Sequence, residues 1–230
     1  MPGDQDAIPL RGGRVTHGGV HIGDTVRRPR RPNSEFVRRL LNHLAAKGFE
    51  GAPASLGPDR QGREVFTFIA GDVPADLGFH DDETLARAAR LIRRFHDLSA
   101  DLVATPAAAD IEVVCHNDLS PCNFVFREGV PVAMIDFDAA APGSRAHDLG
   151  YAAWHWLDLG SPDIPTADQQ RRLALFLTAY GADDYPRVVS AALARQAMLV
   201  EEGRRVGDDR MARWAADCLE WTRQNEKLLV

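Results

Sequence analysis

The sequence predicts an α+β fold in which short strands come first and long helices follow. β-forming runs separated by glycine fill much of the first 70 residues, whereas amphipathic helical patterns dominate from Thr84 onward. This segregation differs from the alternating strands and helices of a parallel α/β sheet. A chain of 230 residues can form one large domain or two small lobes with a shared core. We expect two lobes, 1–70 and 71–230, that meet near Gly71.

Three short strands are expected near the start of the chain, at residues 14–16, 20–22 and 25–28. The turn pairs Gly18-Gly19 and Gly23-Asp24 separate these runs, because glycine and aspartate readily adopt the backbone angles of tight turns. The three runs together predict a β-meander at the start of the first lobe.

A helix is predicted next, beginning at Asn33 or Ser34, either of which can cap its first turn. Apolar residues recur on one face at helical spacing, and Gly48 closes the helix. That face contains Phe36, Val37, Leu40, Leu41 and Leu44. The run 64–69 predicts one further strand, which Ala70-Gly71 ends.

The second part of the chain is predicted to be mainly helical. Residues Thr84 to Leu98 form an amphipathic helical pattern. Short strands are expected near 113–115, 124–126 and 131–135, and further helices at about 147–158, 167–180, 185–205 and 208–227.

The net charge of −6 is unevenly distributed. Residues 1–70 contain 11 basic and 7 acidic side chains, whereas residues 71–230 contain 16 and 26. A basic first part suits a polyanion such as a nucleoside triphosphate, and an acidic remainder suits a cationic second substrate; alternatively, both are solvated surfaces. A nucleic-acid binder needs a larger basic excess and a basic face rich in aromatic residues, so we expect no nucleic-acid partner.

Three further sequence features bear on where in the cell the protein works. The sequence has no run of about 18 apolar residues, so we expect no membrane partner. The first residues include acids and lack an apolar run, unlike a signal peptide. Cys115, Cys122 and Cys218 are odd in number and lack CxxC spacing, which favours a reducing, cytoplasmic setting and argues against structural zinc.

Two oxygen-bearing side chains flank a predicted hairpin. The β-runs on either side of Glu128-Gly129 form an antiparallel pair, with Asn123 just before the first strand and Asp136 just after the second. An antiparallel hairpin brings these two ends together. Mg²⁺ takes one or two protein oxygens and completes its coordination with water and phosphate oxygens. The sequence therefore predicts a Mg²⁺ site at the open end of this hairpin.

A third acidic residue, Asp118, lies five residues before Asn123 on the loop that enters the same hairpin. A carboxylate at this position can accept the proton of an attacking hydroxyl, and positioning is the main requirement in phosphoryl transfer. Turn or strand-end roles explain each of the three residues alone, but not their convergence.

The motifs HNDLSPCN and IDFD resemble the catalytic and metal-binding loops of the aminoglycoside phosphotransferase and choline kinase family, relatives of protein kinases. The resemblance implies a two-lobed protein-kinase-like fold with a small β-rich N-terminal lobe and a larger helical C-terminal lobe. It implies that Asp118 is the catalytic base and that Asn123 and Asp136 bind Mg²⁺. Asp138 stands where protein kinases have glycine, and it is a further candidate metal ligand.

Two more residues are expected to support the motif loops. We expect His116 to have a structural rather than a chemical role. The resemblance implies that Asp148, in the run RAHDLGYAAW, holds the catalytic loop from the start of a helix. A plain N-cap is the alternative for Asp148.

The same resemblance implies that the N-terminal lobe binds ATP through a cation on its third strand. Lys47 and Lys227 are the only lysines in the sequence, and neither lies on the candidate strand. An arginine must therefore bind the phosphates, and Arg27 matches the family pattern better than Arg28. A guanidinium can bind phosphate oxygens through two hydrogen bonds, so this exchange is chemically sound.

Other nucleotide-binding candidates follow from the resemblance. Gly18 and Gly19 are candidates for the loop over the phosphates. Glu35 either pairs with the arginine or only favours the helix N-terminus through its charge. The run Thr67-Phe68-Ile69 resembles the hinge between the lobes, where backbone groups at Thr67 and Ile69 would meet the adenine edge; it also fits a plain core strand. The lobe is short for the family, so some strands could be missing.

The later helices are expected to supply the acceptor pocket, although aromatic residues at helical spacing more often form a core. The candidates are Trp154, His155, Trp156, Asp158, Glu201 and Glu202.

The resulting hypothesis is an ATP- and Mg²⁺-dependent phosphotransferase that transfers the γ-phosphate to a hydroxyl of a small, cationic or polyhydroxylated molecule. The resemblance allows an aminoglycoside, another antibiotic, choline, ethanolamine or a sugar. The pattern is also similar to that of short phosphotransferase homologues described as peptide-antibiotic immunity proteins. The alternative is a kinase-like protein that sequesters a toxin or partner. The missing lysine favours that alternative, and the complete set of Asp118, Asn123 and Asp136 disfavours it.

Overall fold

The structure, a computed structural model, describes residues 7–9, 18–103 and 110–229. The strand predicted at residues 14–16 lies outside these ranges. The described part has a small lobe built on an antiparallel sheet and a larger lobe that is mainly helical. This arrangement confirms the predicted α+β fold.

A five-stranded antiparallel sheet forms the small lobe. Its strands are β1 (Ile8–Pro9), β2 (Val20–Ile22), β3 (Thr25–Arg28), β4 (Ser55–Pro58) and β5 (Glu64–Thr67). They lie side by side in the order β1-β2-β3-β5-β4, so β3 is central. Arg27 pairs with Val65 and Arg28 with Glu64 in the register. Successive side chains of a strand point to opposite faces, so these two arginines face different surroundings.

The sequence analysis did not predict β1 or β4. β1 has only two residues, one of which is proline, and β4 contains Gly57 and Pro58, so neither shows an alternating β pattern. Both strands lie at the edges of the sheet, where they pair with a single neighbour. The described small lobe therefore contains two strands that the sequence analysis did not predict.

Helix α1 (Ser34–Ala46) packs against β4 of the sheet and also contacts the larger lobe. Its predicted apolar face is largely buried, at Val37, Leu40, Leu41 and Leu44. Asn33 occupies the N-cap position, but its side chain does not cap the helix. The Asn33 amide group instead donates to the carbonyl oxygens of Asp138 at 3.2 Å and Ala140 at 2.9 Å in the larger lobe. The residue predicted as a cap therefore joins the two lobes.

The chain runs alongside the larger lobe's hairpin at Gly71 and Asp72. Asp72 and Phe126 exchange two backbone hydrogen bonds, of 2.9 and 2.7 Å. A Cβ atom at Gly71 would lie 2.4 Å from the Phe126 carbonyl oxygen, and its φ is +150°. Glycine is therefore required where the backbones approach. The lobe boundary near Gly71 stays a prediction.

Two pairs of short antiparallel strands lie in the larger lobe. β6 (Val113–Cys115) pairs with β9 (Ala141–Gly143), and β7 (Phe124–Arg127) pairs with β8 (Val130–Met134). The motif HNDLSPCN connects β6 to β7, and the IDFD motif follows β8 directly. The paired strands therefore bring both motif loops to one region.

Five long helices complete the larger lobe, close to their predicted positions. They are α2 (Asp82–Ser99), α3 (Arg145–Leu157), α4 (Thr166–Tyr180), α5 (Tyr185–Val206) and α6 (Asp209–Leu229). Helices α3 and α5 approach so closely that a Cβ atom at Gly150 would lie 2.5 Å from the Ala192 amide nitrogen. Within the described ranges, we find no helix with the length and apolar character needed to cross a membrane.

Candidate active site

The β7–β8 hairpin brings Asn123 and Asp136 to its open end. Phe124 pairs with Met134 in the hairpin register, and the Ile135 amide donates to the Asn123 carbonyl oxygen at 2.9 Å. The two candidate metal ligands therefore flank the same open end of the hairpin, Asn123 just before β7 and Asp136 just after β8, as the sequence predicts.

Asp136 has an unusual backbone conformation, with φ of 63° and ψ of 59°. Residues other than glycine seldom adopt this left-handed conformation, although aspartate tolerates it better than most. It lets the chain turn sharply from β8 into the short 3₁₀ turn Phe137–Ala139. Backbone conformations of this kind concentrate at functional sites, where the surrounding structure compensates for their cost.

Asp118 contacts both Asn123 and a residue of helix α3. The Tyr151 hydroxyl donates to Asp118 Oδ1 at 2.7 Å, and the Asn123 side-chain amide donates to the Asp118 carbonyl oxygen at 2.9 Å. The described residues make no second side-chain hydrogen bond to the Asp118 carboxylate, so its other oxygen can accept a proton. Because Asn123 uses its NH₂ group here, its amide oxygen remains able to bind a cation.

The Tyr151 ring packs against Arg195 and His155. The Arg195 guanidinium carbon lies 4.5 Å from the centre of the Tyr151 ring, and Arg195 donates to the Asn117 carbonyl oxygen at 2.8 Å. Burial, with the nearby negative charge of Asp118, raises the pKa of the Tyr151 phenol. The hydroxyl therefore stays protonated and donates to Asp118. Burial also lowers the pKa of His155 to about 4, so that this ring against Tyr151 is neutral at pH 7.

The carboxylate of Asp148 fixes the backbone at the start of the HNDLSPCN loop. Its oxygens accept hydrogen bonds from the His116 amide at 2.7 Å and the Asn117 amide at 2.8 Å. His96 Nε2 lies 3.0 Å from the same carboxylate. Ser144, rather than Asp148, caps helix α3. The structure therefore favours the supporting role of Asp148 over a plain N-cap.

This carboxylate is fully buried and belongs to a polar network. Burial alone raises the pKa of Asp148, but the hydrogen bond and charge of His96, with further help from His116, outweigh that effect. The pKa of Asp148 therefore lies below its ordinary value. His96 Nδ1 lies 2.8 Å from the Tyr180 hydroxyl, to which Arg145 donates at 3.0 Å. The network extends from the motif loop to helix α4.

His116 connects the two motif loops, as expected for a structural role. Its Nε2 atom lies 3.0 Å from the Ile135 carbonyl oxygen. The Trp156 indole nitrogen donates to the Leu119 carbonyl oxygen at 3.0 Å and supports the same loop from α3.

Trp154 and Trp156 are fully buried, so both belong to the core rather than to an acceptor pocket. Glu201 and Glu202 form surface ion pairs with arginines of α5.

Arg28, rather than Arg27, lies at the site. The Arg28 guanidinium donates to Asp136 Oδ1 at 3.0 Å and to Asp138 Oδ1 at 2.6 Å. Arg27 points from the other face of β3 and lies 3.8 Å from Asp59. The preference for Arg27 is therefore corrected, because the family pattern did not determine which of two neighbouring residues faces the larger lobe.

Two other ionisable candidates, Asp138 and Glu35, lie in different surroundings. Burial raises the pKa of Asp138 above its ordinary value, and the charge of Arg28 works in the opposite direction. Glu35 is exposed in the first turn of α1 and forms no ion pair with either arginine among the described residues. Its position therefore favours the simpler alternative, in which its charge interacts with the helix N-terminus.

The hinge candidates Thr67 and Phe68 make backbone hydrogen bonds within the small lobe. The Thr67 amide donates to the Ala54 carbonyl oxygen at 3.0 Å, and the Phe68 amide donates to that of Asp24 at 2.8 Å. These two amide groups are therefore already used by the small lobe. The Phe68 ring stacks on His21 with centroids 3.9 Å apart. Ile69 follows directly, and Gly18-Gly19 immediately precede β2.

The oxygen atoms of the site suit Mg²⁺, which takes few ligands from the protein, better than a metal ion that takes all of its ligands from side chains. The described ranges contain no group of three His, Cys, Asp or Glu side chains that could hold a metal. Asn123, Asp136 and Asp138 offer an amide oxygen and two carboxylates, and Mg²⁺ can complete such a set with water and phosphate oxygens. The guanidinium between Asp136 and Asp138 shows that these carboxylates already attract a cation.

Sequence reasoning missed two residues near Asp118, namely Tyr151 and Arg195. Tyr151 lies three residues after Asp148 on the same helix, and this spacing places both side chains on one face. The helical spacing could therefore have identified Tyr151. Arg195 lies far along the chain on α5, and no sequence signal connects it to the motif loop.

The family comparison matches this part of the chain. Residues 99–189 match the family model APH, described as the phosphotransferase enzyme family. The matched segment includes Asp118, Asn123, Asp136 and Asp148. The resemblance drawn from the two motifs is therefore confirmed.

Two solved structures show the fold of this chain. A choline kinase from Cryptosporidium parvum Iowa II aligns with a TM-score of 0.68 at 13% identity, covering 99% of this chain and 91% of that chain. The GDP complex of aminoglycoside 2'-phosphotransferase-IIIa aligns with a TM-score of 0.61 at 16% identity, covering 96% and 93%. The predicted two-lobed protein-kinase-like fold is confirmed.

A curated sequence relative is the trifolitoxin immunity protein of Rhizobium leguminosarum bv. trifolii. It is 34% identical over 166 residues, which cover 66% of this chain and 62% of that protein. The chain spans less than two thirds of the length of the curated relatives that it matches.

We expect Asp148→Asn to lower the free energy of unfolding at pH 7 by about 3 kcal/mol, because the amide leaves buried donors unpaired. The folded-state pKa of Asp148 is depressed, so its contribution is present above the unfolded-state value of about 3.9. It is lost as the pH falls through the folded-state value. Urea denaturation of both proteins between pH 7 and pH 3 measures the difference.

The exposed loop residue Asp183 supplies the matched control, since Asp183→Asn makes the same chemical change away from the network. We expect it to change stability by no more than about 0.5 kcal/mol. Equal stability of wild type and Asp148→Asn at pH 7, or a difference that grows in acid, would contradict the assigned role of Asp148.

Proposed function

We propose that this protein is an ATP- and Mg²⁺-dependent phosphotransferase that moves the γ-phosphate of ATP to a hydroxyl of a small molecule. The principal support is that Asp118, Asn123 and Asp136 lie together at the open end of one hairpin. Asn123 connects the other two, because its side chain contacts the Asp118 carbonyl oxygen and its own carbonyl oxygen accepts from Ile135. In this proposal residues 1–70 hold the nucleotide, and residues 71–230 supply catalysis and acceptor binding.

Asp118 is the proposed catalytic base. Its Oδ1 atom accepts the Tyr151 hydroxyl, which orients the carboxylate and leaves the second oxygen for the acceptor hydroxyl. As the acceptor oxygen bonds to the γ-phosphorus, Asp118 takes the hydroxyl proton, and the bond to the β–γ bridging oxygen breaks to release ADP. Positioning of this kind accounts for much of the rate enhancement in phosphoryl transfer.

Asn123, Asp136 and Asp138 are the proposed metal-binding residues. Bound Mg²⁺ would neutralise charge on the phosphate oxygens during transfer. Arg28 would bind phosphate oxygens through its guanidinium, in the role that lysine has in the resembling family. Because β3 presents Arg28 toward the motif loops, the arginine can serve this role from the small lobe.

The nucleotide base is proposed to lie against the small lobe. Gly18 and Gly19 immediately precede β2 and are the glycines proposed to cover the phosphates. The segment Thr67-Phe68-Ile69 is the proposed hinge. Since the Thr67 amide is occupied within the sheet, Ile69 is the better candidate for a backbone contact with adenine.

The acceptor is proposed to be a small hydroxyl-bearing molecule, such as an aminoglycoside or another antibiotic. This choice is supported by the fold shared with aminoglycoside 2'-phosphotransferase-IIIa and by the acidic balance of residues 71–230. The fold shared with a choline kinase keeps amino alcohols within the same chemical range.

The second candidate function is that of a kinase-like immunity protein that sequesters a toxin or partner. It is supported by the name of the trifolitoxin immunity protein and by the replacement of the phosphate-binding lysine with arginine. A protein that only binds has no need of Asp118, Asn123 and Asp136 together, so we favour the enzyme. Phosphorylated product in an acceptor panel separates the two functions.

We expect Mg·ATP to raise the melting temperature of the wild-type protein, because a ligand that binds only the native state stabilises it. Asp118→Asn should keep this shift but reduce kcat by about 100-fold or more, since general-base catalysis contributes at least that factor. Differential scanning fluorimetry and ADP release with aminoglycosides, other antibiotics, amino alcohols and sugars measure the two quantities.

The exposed residue Asp163 gives the matched control, because Asp163→Asn removes the same charge outside the site and should retain full turnover. Wild type that shows neither a melting shift with Mg·ATP nor product with any acceptor would rule out the proposed enzyme. Unchanged kcat in Asp118→Asn would rule out the base.

We also expect Tyr151→Phe to lower kcat by about tenfold or more, the effect of losing a hydrogen bond to a charged group. The phenylalanine ring still packs under Arg195, and KM for ATP should not change. Steady-state kinetics with any acceptor found in the panel measure both constants. Tyr185→Phe is the control, because that hydroxyl contacts Thr178 and Ala174 instead. Equal kcat in wild type and Tyr151→Phe would remove Tyr151 from the mechanism.

A further inference from the structure

One arginine connects the small lobe to both carboxylates of the IDFD motif. Arg28 donates one nitrogen to Asp136 Oδ1 at 3.0 Å and the other to Asp138 Oδ1 at 2.6 Å. The Phe66 ring lies under the same guanidinium, 4.7 Å from its central carbon. The fork of the guanidinium thus spans the two carboxylates, and an aromatic ring fixes its plane.

This ion-pair group is poorly hydrated. The Arg28 side chain is 12% exposed and each of the two carboxylates 23%. Charge-assisted hydrogen bonds in such surroundings are less screened by salt and stronger than pairs at the surface. The arrangement is therefore a defined cation site occupied by a side chain of the protein itself.

Two other carboxylates of the small lobe form no ion pair with Arg28 within the described residues. Glu35 on α1 is exposed, and Glu64, which pairs with Arg28 in the strand register, lies 3.9 Å from Arg30 instead. The ion-pair partners that the structure gives to Arg28 are Asp136 and Asp138, both of which are proposed metal ligands. A metal ion and the Arg28 guanidinium would therefore need the same carboxylate oxygens.

We propose that Arg28 competes with free divalent metal for Asp136 and Asp138, so that the metal enters this site together with nucleotide phosphates. This inference rests on the proposed function for the identity of the metal and nucleotide. It goes further because it makes metal binding at this site depend on bound nucleotide.

Charge balance supports this dependence. Asp136, Asp138 and Arg28 together carry one net negative charge, and the positive charge of Arg31 also acts on Asp138. Carboxylates neutralised to this extent attract Mg²⁺ only weakly, and Mg²⁺ gives up its water reluctantly. A nucleotide supplies anionic oxygens that accept the guanidinium fork through two hydrogen bonds. Arg28 can then exchange carboxylates for phosphates without becoming unpaired, which releases Asp136 for the metal.

The apparent affinity for metal alone equals the intrinsic affinity multiplied by the fraction of molecules in which Arg28 does not hold the carboxylates. If Arg28 holds the carboxylates in about nine molecules in ten, removing the guanidinium strengthens metal binding about tenfold. We therefore expect Arg28→Gln to bind Mn²⁺ at least about tenfold more tightly than wild type without nucleotide. Electron paramagnetic resonance of free Mn²⁺ measures both dissociation constants.

Matched variants make the test specific. Arg30→Ala removes a positive charge two residues away, from an arginine that is 60% exposed, and should keep the wild-type Mn²⁺ affinity. The double variant Arg28→Gln with Asp136→Asn should lose the gain, because the released carboxylate is the ligand. Circular dichroism confirms that each variant is folded, and Arg28→Lys, which keeps the charge, replaces Arg28→Gln if the latter does not fold. Because lysine lacks the two-pronged fork that spans both carboxylates, we expect a smaller gain from that variant.

Equal Mn²⁺ affinity in wild type and the Arg28 variants, whether tight or undetectable, would overturn the inference. A gain that persists after Asp136→Asn would also overturn it. Since nucleotide is absent from this measurement, its outcome is independent of whether the protein transfers phosphate. Failure of the proposed function would appear instead in the Mg·ATP melting shift and the acceptor panel.

Discussion

The buried carboxylate of Asp148 is the constraint on which the site depends. It accepts hydrogen bonds from two successive backbone amides, His116 and Asn117, and His96 Nε2 lies 3.0 Å from it within the core. A loop cannot bury a carboxylate unless hydrogen bonds replace the lost water, so the loop conformation and the ionised state of Asp148 require each other. Asp118 follows this fixed segment directly, and its position is a consequence of it.

The second requirement is that the lobes meet at the motif loops. Arg28 reaches from the small lobe to Asp136 and Asp138, and Asn33 donates to carbonyl oxygens just beyond them. Both contacts come from the small lobe, because Arg28 is the last residue of β3 and Asn33 directly precedes α1. The segment after β8 therefore combines two tasks: it presents the proposed metal ligands and anchors the neighbouring lobe.

The sequence predicts the helices of the larger lobe well, because their apolar periodicity is sustained over several turns. The hairpin and the oxygen-bearing side chains that flank it are also predictable, since antiparallel pairing alone brings Asn123 and Asp136 together. Edge strands such as β1 and β4 escape prediction because they are short and contain proline. The choice between Arg27 and Arg28 depends on which face of β3 meets the larger lobe, and contacts such as Arg195 with Tyr151 depend on tertiary packing. Local sequence does not contain that information.

A crystal structure with Mg²⁺ and a non-hydrolysable ATP analogue would test the central claim most directly. The account predicts one metal bound at about 2.1 Å by the Asn123 amide oxygen and an Asp136 carboxylate oxygen. It also predicts Arg28 on the phosphates and the free Asp118 oxygen facing the γ-phosphate from the side open to the acceptor. A nucleotide bound elsewhere, or a metal held by neither Asn123 nor Asp136, would contradict the account.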